Sequence, residues 1–596
     1  MNYSIQDFLN IKAAVPAGFS PDGSKVLISS NLTGTLQLYR IGVRGGELVQ
    51  LTDFEEPVTG TYLPTKDQIL VQMDEGGNER VQIYLLDDDG KELQPVVYEP
   101  DYIHRVGGVS RDSSSIVYAS NRRNGVDFDV YVRNLTSGEE KRVFDLGGLC
   151  MSGGFSPDRR FISVMKPSDR SGDNDLYLVD LGTDEVMHLT PHDDDSFFGS
   201  PRWLPDSSSF FFATDAGSEF QAIARYDLSS QGWKIELARD HDLTCEMDWN
   251  LENLIVTETE HGFTTIEVFD PQTLTKKFDV SLPRRGIASE WYSKDGRLFT
   301  YGFLSPVDSG DAWLFDRDTG ETTRLTNSPS SIPPEDLVEA QVHTYESFDS
   351  ERIPILLFKP KQSSSDKPPA VVSIHGGPES QFMPILNPVI QYLVHRGFAV
   401  VAPNVRGSTG YGKRYHHLDD KRKRLDSVRD LEGLHRWLET AGLDSSRAAL
   451  MGGSYGGYMV LAGLTFQPEL WAAGVDIVGI SSLITFLENT SAWRREFRER
   501  EYGSLVEDRE FLAEASPLTH IDNIKAPLFI IHGRNDPRVP VGEAEQIHDV
   551  LRSKGITSEL LIYEDEGHGL QKLKNRLDAY PKVVSFLERV LSNPGQ

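Results

Sequence analysis

The residues able to carry chemistry gather late in the chain, beginning with Leu450-Met451-Gly452-Gly453-Ser454-Tyr455-Gly456-Gly457-Tyr458-Met459. An apolar run ends there, narrows to small residues around one serine, and passes into helical apolar spacing at Met459, Leu461 and Leu464. The pattern predicts a strand, a sharp turn and a helix, with the hydroxyl pushed out above a sheet. A serine on such a turn sits in a strained backbone with neighbours crossing closely, which accounts for Gly452 and Gly456 two residues to either side. The same turn also suits a phosphate cradle or a plain tight bend, so the partners downstream decide. A serine hydroxyl needs a base near neutral pH, and the base needs a group that fixes its tautomer. After the apolar run Leu528-Phe529-Ile530-Ile531 comes His532-Gly533-Arg534-Asn535-Asp536-Pro537-Arg538, and after Tyr563 comes Glu564-Asp565-Glu566-Gly567-His568-Gly569. Ser454, Asp536 and His568 therefore follow one another in hydrolase order, with His568 between glycines expected to let it swing toward the serine. The run Val371-Val372-Ser373-Ile374 ends in His375-Gly376-Gly377-Pro378, where two residues without side chains offer N–H groups to a developing oxyanion, and the Tyr455 N–H is the expected second donor. His375 reads as structural. His416, His417 and His532 lack metal-type spacing with nearby carboxylates, and no metal or cofactor is expected.

These residues need a scaffold that brings strand ends together. From residue 335 onward, buried strands alternate with helices: strands near 370–374, 399–402, 448–451, 474–478, 528–531 and 559–563, and helices near 427–440, from 455, 542–553 and 579–591. Continuous apolar strands separated by helices predict a doubly wound, mostly parallel sheet covered on both faces, an α/β-hydrolase domain over 335–596. In such sheets working groups collect at the carboxyl ends of strands, where each motif above falls. Ser328-Pro329-Ser330-Ser331-Ile332-Pro333-Pro334 reads as the linker before it.

The first half repeats itself. Phe19-Ser20-Pro21-Asp22-Gly23, Tyr62-Leu63-Pro64, Val109-Ser110-Arg111-Asp112, Phe155-Ser156-Pro157-Asp158, Trp203-Leu204-Pro205-Asp206, Trp249-Asn250-Leu251-Glu252 and Tyr292-Ser293-Lys294-Asp295-Gly296 recur at about 43 to 48 residues, a propeller-blade period. A second mark, a strand running into a polar turn, keeps step at Asp87, Asn134, Asp180, Asp227, Asp270 and Asp316, with a weaker copy at 36–41. Units too small to bury their own faces must stack, so residues 1–334 are expected to form an all-β, seven-bladed β-propeller, with six or eight blades or a sandwich array as alternatives. The first twelve or so residues are assigned either to the propeller or to the second domain.

Composition narrows the function. The formal charge of −30 is concentrated: residues 1–336 carry 56 acidic against 30 basic side chains, and 337–596 carry 34 against 30. Such a surface repels nucleic acid and anionic membrane. The basic run Lys421-Arg422-Lys423-Arg424 reads as a solvated lead into a helix. Residues 1–20 show neither a basic leader nor an unbroken apolar core, and nothing later approaches a membrane span, so a cytoplasmic protein is expected. Its two cysteines, Cys150 and Cys245, are read as buried thiols.

Together the seven-fold repeat, His375-Gly376-Gly377-Pro378, Asn404-Val405-Arg406-Gly407-Ser408-Thr409-Gly410-Tyr411-Gly412, the Gly452 to Met459 block, Trp493-Arg494-Arg495, Asp536-Pro537-Arg538-Val539-Pro540 and Gly567-His568-Gly569 resemble the prolyl oligopeptidase family of serine peptidases, and within it the acylaminoacyl-peptidase branch. The resemblance spans nearly the whole chain. It implies Ser454 as nucleophile, His568 as base, Asp536 as its orienting acid, Gly377 and Tyr455 as oxyanion donors, and Arg538 as a donor to a substrate carbonyl, with a surface ion pair as the other reading of Arg538. His375 stands where prolyl oligopeptidase proper and the dipeptidyl peptidases place an oxyanion-hole tyrosine, which favours the acylaminoacyl branch. The implied function is cleavage of short peptides through an acyl-enzyme, with the propeller restricting substrate size. The rivals are an esterase or amidase for small acyl esters, a dipeptidyl-peptidase-like exopeptidase, for which Glu75 and Glu79 are the nominated amine-binding pair, and a non-catalytic scaffold. A homo-oligomer is compatible with all of these. Trp493 and residues 480–486 are candidate pocket walls, with ordinary core as the equal reading.

Overall fold

In the computed structural model, which describes residues 3–362 and 366–591, strands from Ala14 to Arg324 form the propeller and a second sheet spans Gln341 to Tyr563. Five blades are separate four-stranded antiparallel sheets, and the remaining eight propeller strands make the first and last blades, joined at the seam by the parallel bridge Ala14↔Asp311. Each blade is cut from one consecutive stretch of chain, so seven blades close the ring without exchanging strands. Burial explains the stacking. Ala17, Leu27 and Leu38 of the first blade pack against Tyr62, Ile69 and Val71 of the second, and comparable clusters fill the interfaces that follow, including the seam, where Ala312 meets Val26, Ile28 and Tyr39.

The repeated turn has a local cause. Ser20 Oγ donates to Asp22 Oδ1 at 2.6 Å, and the same oxygen accepts the Ser24 N–H at 3.0 Å, locking the corner between the first two strands. The pairs Ser110–Asp112 and Ser156–Asp158 repeat it at 2.7 and 2.6 Å. The second mark ends the third strand of a blade, where Asn134, Asp180 and Asp227 cap the following amides.

The second sheet has eight strands in the order Gln341–Glu346, Arg352–Phe358, Ala399–Pro403, Pro369–Ile374, Asp444–Gly453, Ala473–Ile477, Leu528–Gly533, Ser558–Tyr563. The first two run antiparallel and the rest are parallel. Those two strands, and helices Pro388–His395, Leu483–Asn489, Ala492–Tyr502 and Arg509–Glu514, add to the elements expected from sequence. Each face of the sheet carries its own apolar core. The short helix Ile5–Leu9 belongs to the second: Ile5, Phe8 and Leu9 are buried there, and the Phe8 ring lies 5.4 Å from that of Tyr392.

One expectation changes. Arg424, read as part of a solvated basic run, is fully buried and paired with Asp419 and Glu501, because Glu501 arrives from a distant helix to join the nearby Asp419 around it. Of residues 480–486, Ile480, Leu483 and Phe486 are at most 2% exposed and belong to the core, the other reading of that segment. Cys150 and Cys245 are free and buried, and burial pushes both thiols up to about 12. Among the described residues no helix is long and apolar enough to cross a membrane.

Candidate active site

Strand Asp444–Gly453 runs straight into helix Tyr455–Phe466, and Ser454 between them has φ 58° and ψ −119°. A non-glycine residue held there costs on the order of 1–3 kcal/mol, which the surrounding packing must over-determine. A Cβ on Gly452 would stand 2.4 Å from the Gly456 carbonyl oxygen, and one on Gly456 would stand 2.2 Å from that of Ile374. Side chains at either place would push the turn apart. Ser454 N–H is tied to the Ile477 carbonyl at 2.8 Å, and the Tyr455 N–H at the helix start has no acceptor among the described residues.

The acid and the histidine come from the next strand ends. Gly453 is level with Ile477, Ile477 with Ile531, and Gly533 with Tyr563, so the loops leaving these strands share one rim. There His568 Nδ1 meets Asp536 Oδ2 at 2.7 Å. The other oxygen, Oδ1, accepts the N–H groups of Arg538 at 2.8 Å and Val539 at 3.0 Å. Burial alone would raise the Asp536 pKa; the hydrogen bond from His568, its charge and the Val539 amide outweigh this and hold the carboxyl below its ordinary range. A carboxylate fixed on Nδ1 leaves Nε2 as the nitrogen free to take a proton. No hydrogen bond from Ser454 Oγ to His568 appears among the described residues. The structure therefore joins two of the three directly and places the third on the same rim.

Of the glycines around His568, Gly567 also answers a packing demand. A Cβ on Gly567 would meet the Gly77 carbonyl oxygen at 2.0 Å, so Gly567 is small because a propeller loop packs against it. His532, assigned nothing from sequence, donates through Nε2 to the Val539 carbonyl at 2.8 Å, with the same nitrogen 3.7 Å from Asp536 Oδ2, so it packs beside the acid. Its place at the end of the strand preceding Asp536 was the available signal.

The His375-Gly376-Gly377 segment lies against the elbow, with a Cβ on Gly376 falling 3.4 Å from Ser454 Cβ. The Gly377 N–H, like that of Tyr455, has no acceptor among the described residues. His375 is structural as expected: Nδ1 is 2.7 Å from the Gly376 carbonyl, Nε2 is 2.8 Å from Ser408 Oγ, and burial pushes its pKa down to about 4. Arg498 was not foreseen. Its Nη1 reaches the Gly377 carbonyl at 3.4 Å and its Nη2 reaches Glu379 at 3.0 Å, while Ser171 of the propeller donates to Glu379 at 3.1 Å and to Glu501 at 2.7 Å. Asp419, Asp420 and Glu501 lie close enough to share a cation, but Arg424 already supplies the positive charge to two of them.

Arg538 makes the ion pair that was its other reading: its Nε donates to Glu79 of the propeller at 2.5 Å. Its two amino nitrogens have no acceptor among the described residues, so a carbonyl contact is compatible with the pair. A cavity of about 600 Å³ opens here between the domains, lined by Asp74, Glu79, Arg105, Trp493, Arg494 and Arg538 among others. Trp493 lines this cavity and at the same time packs in an apolar cluster with Ile103, Ala119 and Phe128. Glu75 is exposed and lies outside this lining, so the nominated Glu75–Glu79 pair does not form; a turn at Gly76-Gly77 separates the two.

A strained serine elbow on a parallel sheet, roofed by a seven-bladed ring, defines a propeller-capped serine hydrolase. Sequence comparison narrows this class. The profile of the prolyl oligopeptidase family matches residues 385–594, and that of the prolyl oligopeptidase N-terminal β-propeller domain matches residues 60–328. The chain is 27% identical over 567 residues to dipeptidyl aminopeptidase BIII of Pseudoxanthomonas mexicana, covering 89% of this chain and 79% of that protein. It is 27% identical over 268 residues to the acylamino-acid-releasing enzyme of Rattus norvegicus, 44% of this chain and 36% of that one. A solved prolyl endopeptidase structure superposes with a TM-score of 0.87 at 19% identity, covering 98% of this chain and 90% of the other. The chain belongs to the prolyl oligopeptidase family and is a serine peptidase.

Proposed function

We propose that this peptidase is an oligopeptidase of the acylaminoacyl-peptidase type, cleaving short peptides by acyl transfer. Ser454 attacks the carbonyl, His568 takes its proton and returns it to the leaving amine, Asp536 holds the imidazole, and the N–H groups of Gly377 and Tyr455 receive the oxyanion. Arg538 steadies a substrate carbonyl, and the propeller limits substrate size. The observation that carries this reading is the 2.7 Å His568–Asp536 bond on the rim where Ser454 is held in its strained turn.

The test is covalent labelling with a fluorophosphonate, followed by turnover of matched anilides with acetylated and free amino ends. Labelling should disappear in Ser454→Ala, the acetylated substrate should be preferred, and intact casein should be spared. A Ser454→Ala variant as active as its parent would sink the assignment. Faster hydrolysis of a simple short-chain ester than of any peptide would favour the esterase reading.

The dipeptidyl alternative is favoured by the long match to dipeptidyl aminopeptidase BIII. Holding a free ammonium requires carboxylates with charge to spare. Of the two acids lining the cavity, Glu79 is paired with Arg538, and burial pushes Asp74 up toward its neutral form. That argues for a blocked amino end, and a preference for free-amine substrates in the same assay would reverse the choice.

A further inference from the structure

The interdomain cavity carries more positive charge than its own walls neutralise. Arg105 stands at the start of propeller strand His104–Val109, its guanidinium 4.9 Å from the Trp493 ring and 5.0 Å from that of Phe128. Arg494 stands on helix Ala492–Tyr502, 5.1 Å from the same tryptophan. Neither guanidinium has an ion pair or hydrogen bond among the described residues, and Arg494 Nε is buried without a partner. The other charges facing the space are accounted for. Arg538 is paired with Glu79 and Arg498 with Glu379, and Asp74 accepts the Glu79 N–H at 2.7 Å. Burial, together with the neighbouring charges of Arg498 and Arg538, pushes Arg494 down to about 10, with Glu79 and Asp536 offsetting only part. In a chain with a net charge of −30, two unmatched arginines in one concavity run against the composition.

Half-buried cations without an ion pair and an unsatisfied buried N–H are costly, and such groups persist where a ligand supplies the counter-charge. Guanidinium groups match carboxylates in shape as well as sign. The loop bearing Asp536 borders this cavity, because helix Ala492–Tyr502 is tied to it by Ser491 Oγ and Thr490 Oγ1, each 2.8 Å from the carbonyls of Pro537 and Arg538 respectively.

We infer that Arg105 and Arg494, one from each domain, form a carboxylate-binding subsite, so that the preferred substrates are short peptides presenting a carboxylate within reach of the cut bond. The carboxylate is either the free carboxyl terminus or an acidic side chain. This deepens the peptidase reading and rests on it.

The experiment uses the full-length enzyme and matched peptide pairs: free acid against terminal amide, and Asp or Glu against Asn or Gln at each position. The carboxylate member should show a kcat/KM about 10 to 100 times higher, mostly through KM, as expected for charge-assisted hydrogen bonds. Loss on amidation alone assigns the terminus, and loss on side-chain exchange alone assigns the side chain. In Arg105→Gln and Arg494→Gln the ratio within each pair should fall to about threefold or less, with Arg105→Lys and Arg494→Lys intermediate. Competition needs no variant: on the parent enzyme, a short acylated peptide acid should inhibit more strongly than its amide. Ratios within twofold for every pair, or a full preference retained in both glutamine variants, would overturn the subsite. Loss of the peptidase reading itself would register differently, as turnover that survives Ser454→Ala.

Discussion

At the scale of single residues, two buried carboxyls near the elbow are pulled in opposite directions. Asp536 is held below the ordinary carboxylate range by its partners, so its contribution to stability is present above the unfolded value of about 3.9 and is lost as pH falls through the folded one. Asp536→Asn should lower kcat by about a thousandfold or more with KM little changed, since an amide on Nδ1 favours the wrong tautomer. Steady-state kinetics on an acetylated anilide checks this, and a loss below tenfold would contradict it. Asp476 is the reverse case. It lies beneath the nucleophile helix, where a Cβ on Gly457 would stand 2.4 Å from its Oδ1, and neither oxygen makes a well-formed hydrogen bond. Burial pushes its pKa up to about 7, with the Gly479 amide offsetting only part. The folded state therefore holds a proton that the unfolded chain releases between about pH 4 and 7, and stability falls with rising pH across that window. Asp476→Asn should become more stable relative to the parent by an amount that grows to a few kcal/mol by about pH 7 and then levels off. Thermal midpoints of both proteins from pH 4.5 to 8.5 test it; a difference constant with pH would rule out Asp476 as the source.

At the scale of elements, the oxyanion segment is held from outside itself. Arg498 contacts the Gly377 carbonyl and Glu379, and Ser171 of the propeller holds Glu379. Arg498 is accordingly a positioning residue. Arg498→Gln should cut kcat about tenfold with KM moved less than threefold, and Arg498→Lys should recover part of it; an effect confined to KM would argue for simple substrate contact. How much of this was legible follows from where the partners lie. The strand ends, the glycines of the elbow and the order of Ser454, Asp536 and His568 are local patterns imposed by backbone geometry, and the chain shows them directly. The roles of Arg424 and Arg498 depend on acids 77 and 119 residues away, which no local window reveals. Arg424 therefore looked solvated beside Lys421, Arg422 and Lys423. The edge strand Gln341–Glu346 was missed for a related reason: only Tyr345 in it is buried, so it lacks the continuous apolar run that marks its neighbours. Glycine at 567 was visible, but its neighbour Gly77 was not, so the packing demand at that position could not be read from the chain.

At the scale of the molecule, the ring is both roof and wall. Its axial cavity of about 510 Å³ is stoppered at the end away from the sheet, where Trp249 lies between the guanidinium of Arg111 at 4.1 Å and the ammonium of Lys294 at 4.0 Å. At the other end the 74–79 loop descends onto the catalytic loops: Asn535 Nδ2 donates to the Gly76 carbonyl at 2.9 Å, Glu79 pairs with Arg538, and Gly77 touches Gly567. Contact this close to the base gives the propeller a means of bearing on the position of His568. Gly77 separates this from a screen by size alone. Its φ is +74°, and a Cβ there would stand 2.5 Å from the Gly567 nitrogen, so Gly77→Ala must push the loop away from the histidine. If the loop positions His568, the variant should label with a small fluorophosphonate about tenfold more slowly or worse, and cleave short and long peptides with the same proportional loss, because the base itself is displaced. If the loop only screens by size, labelling should be unchanged and longer peptides should gain relative to short ones. The backbone contact with Gly567 favours the first outcome, and unchanged labelling in a folded Gly77→Ala protein would leave the propeller as a filter alone.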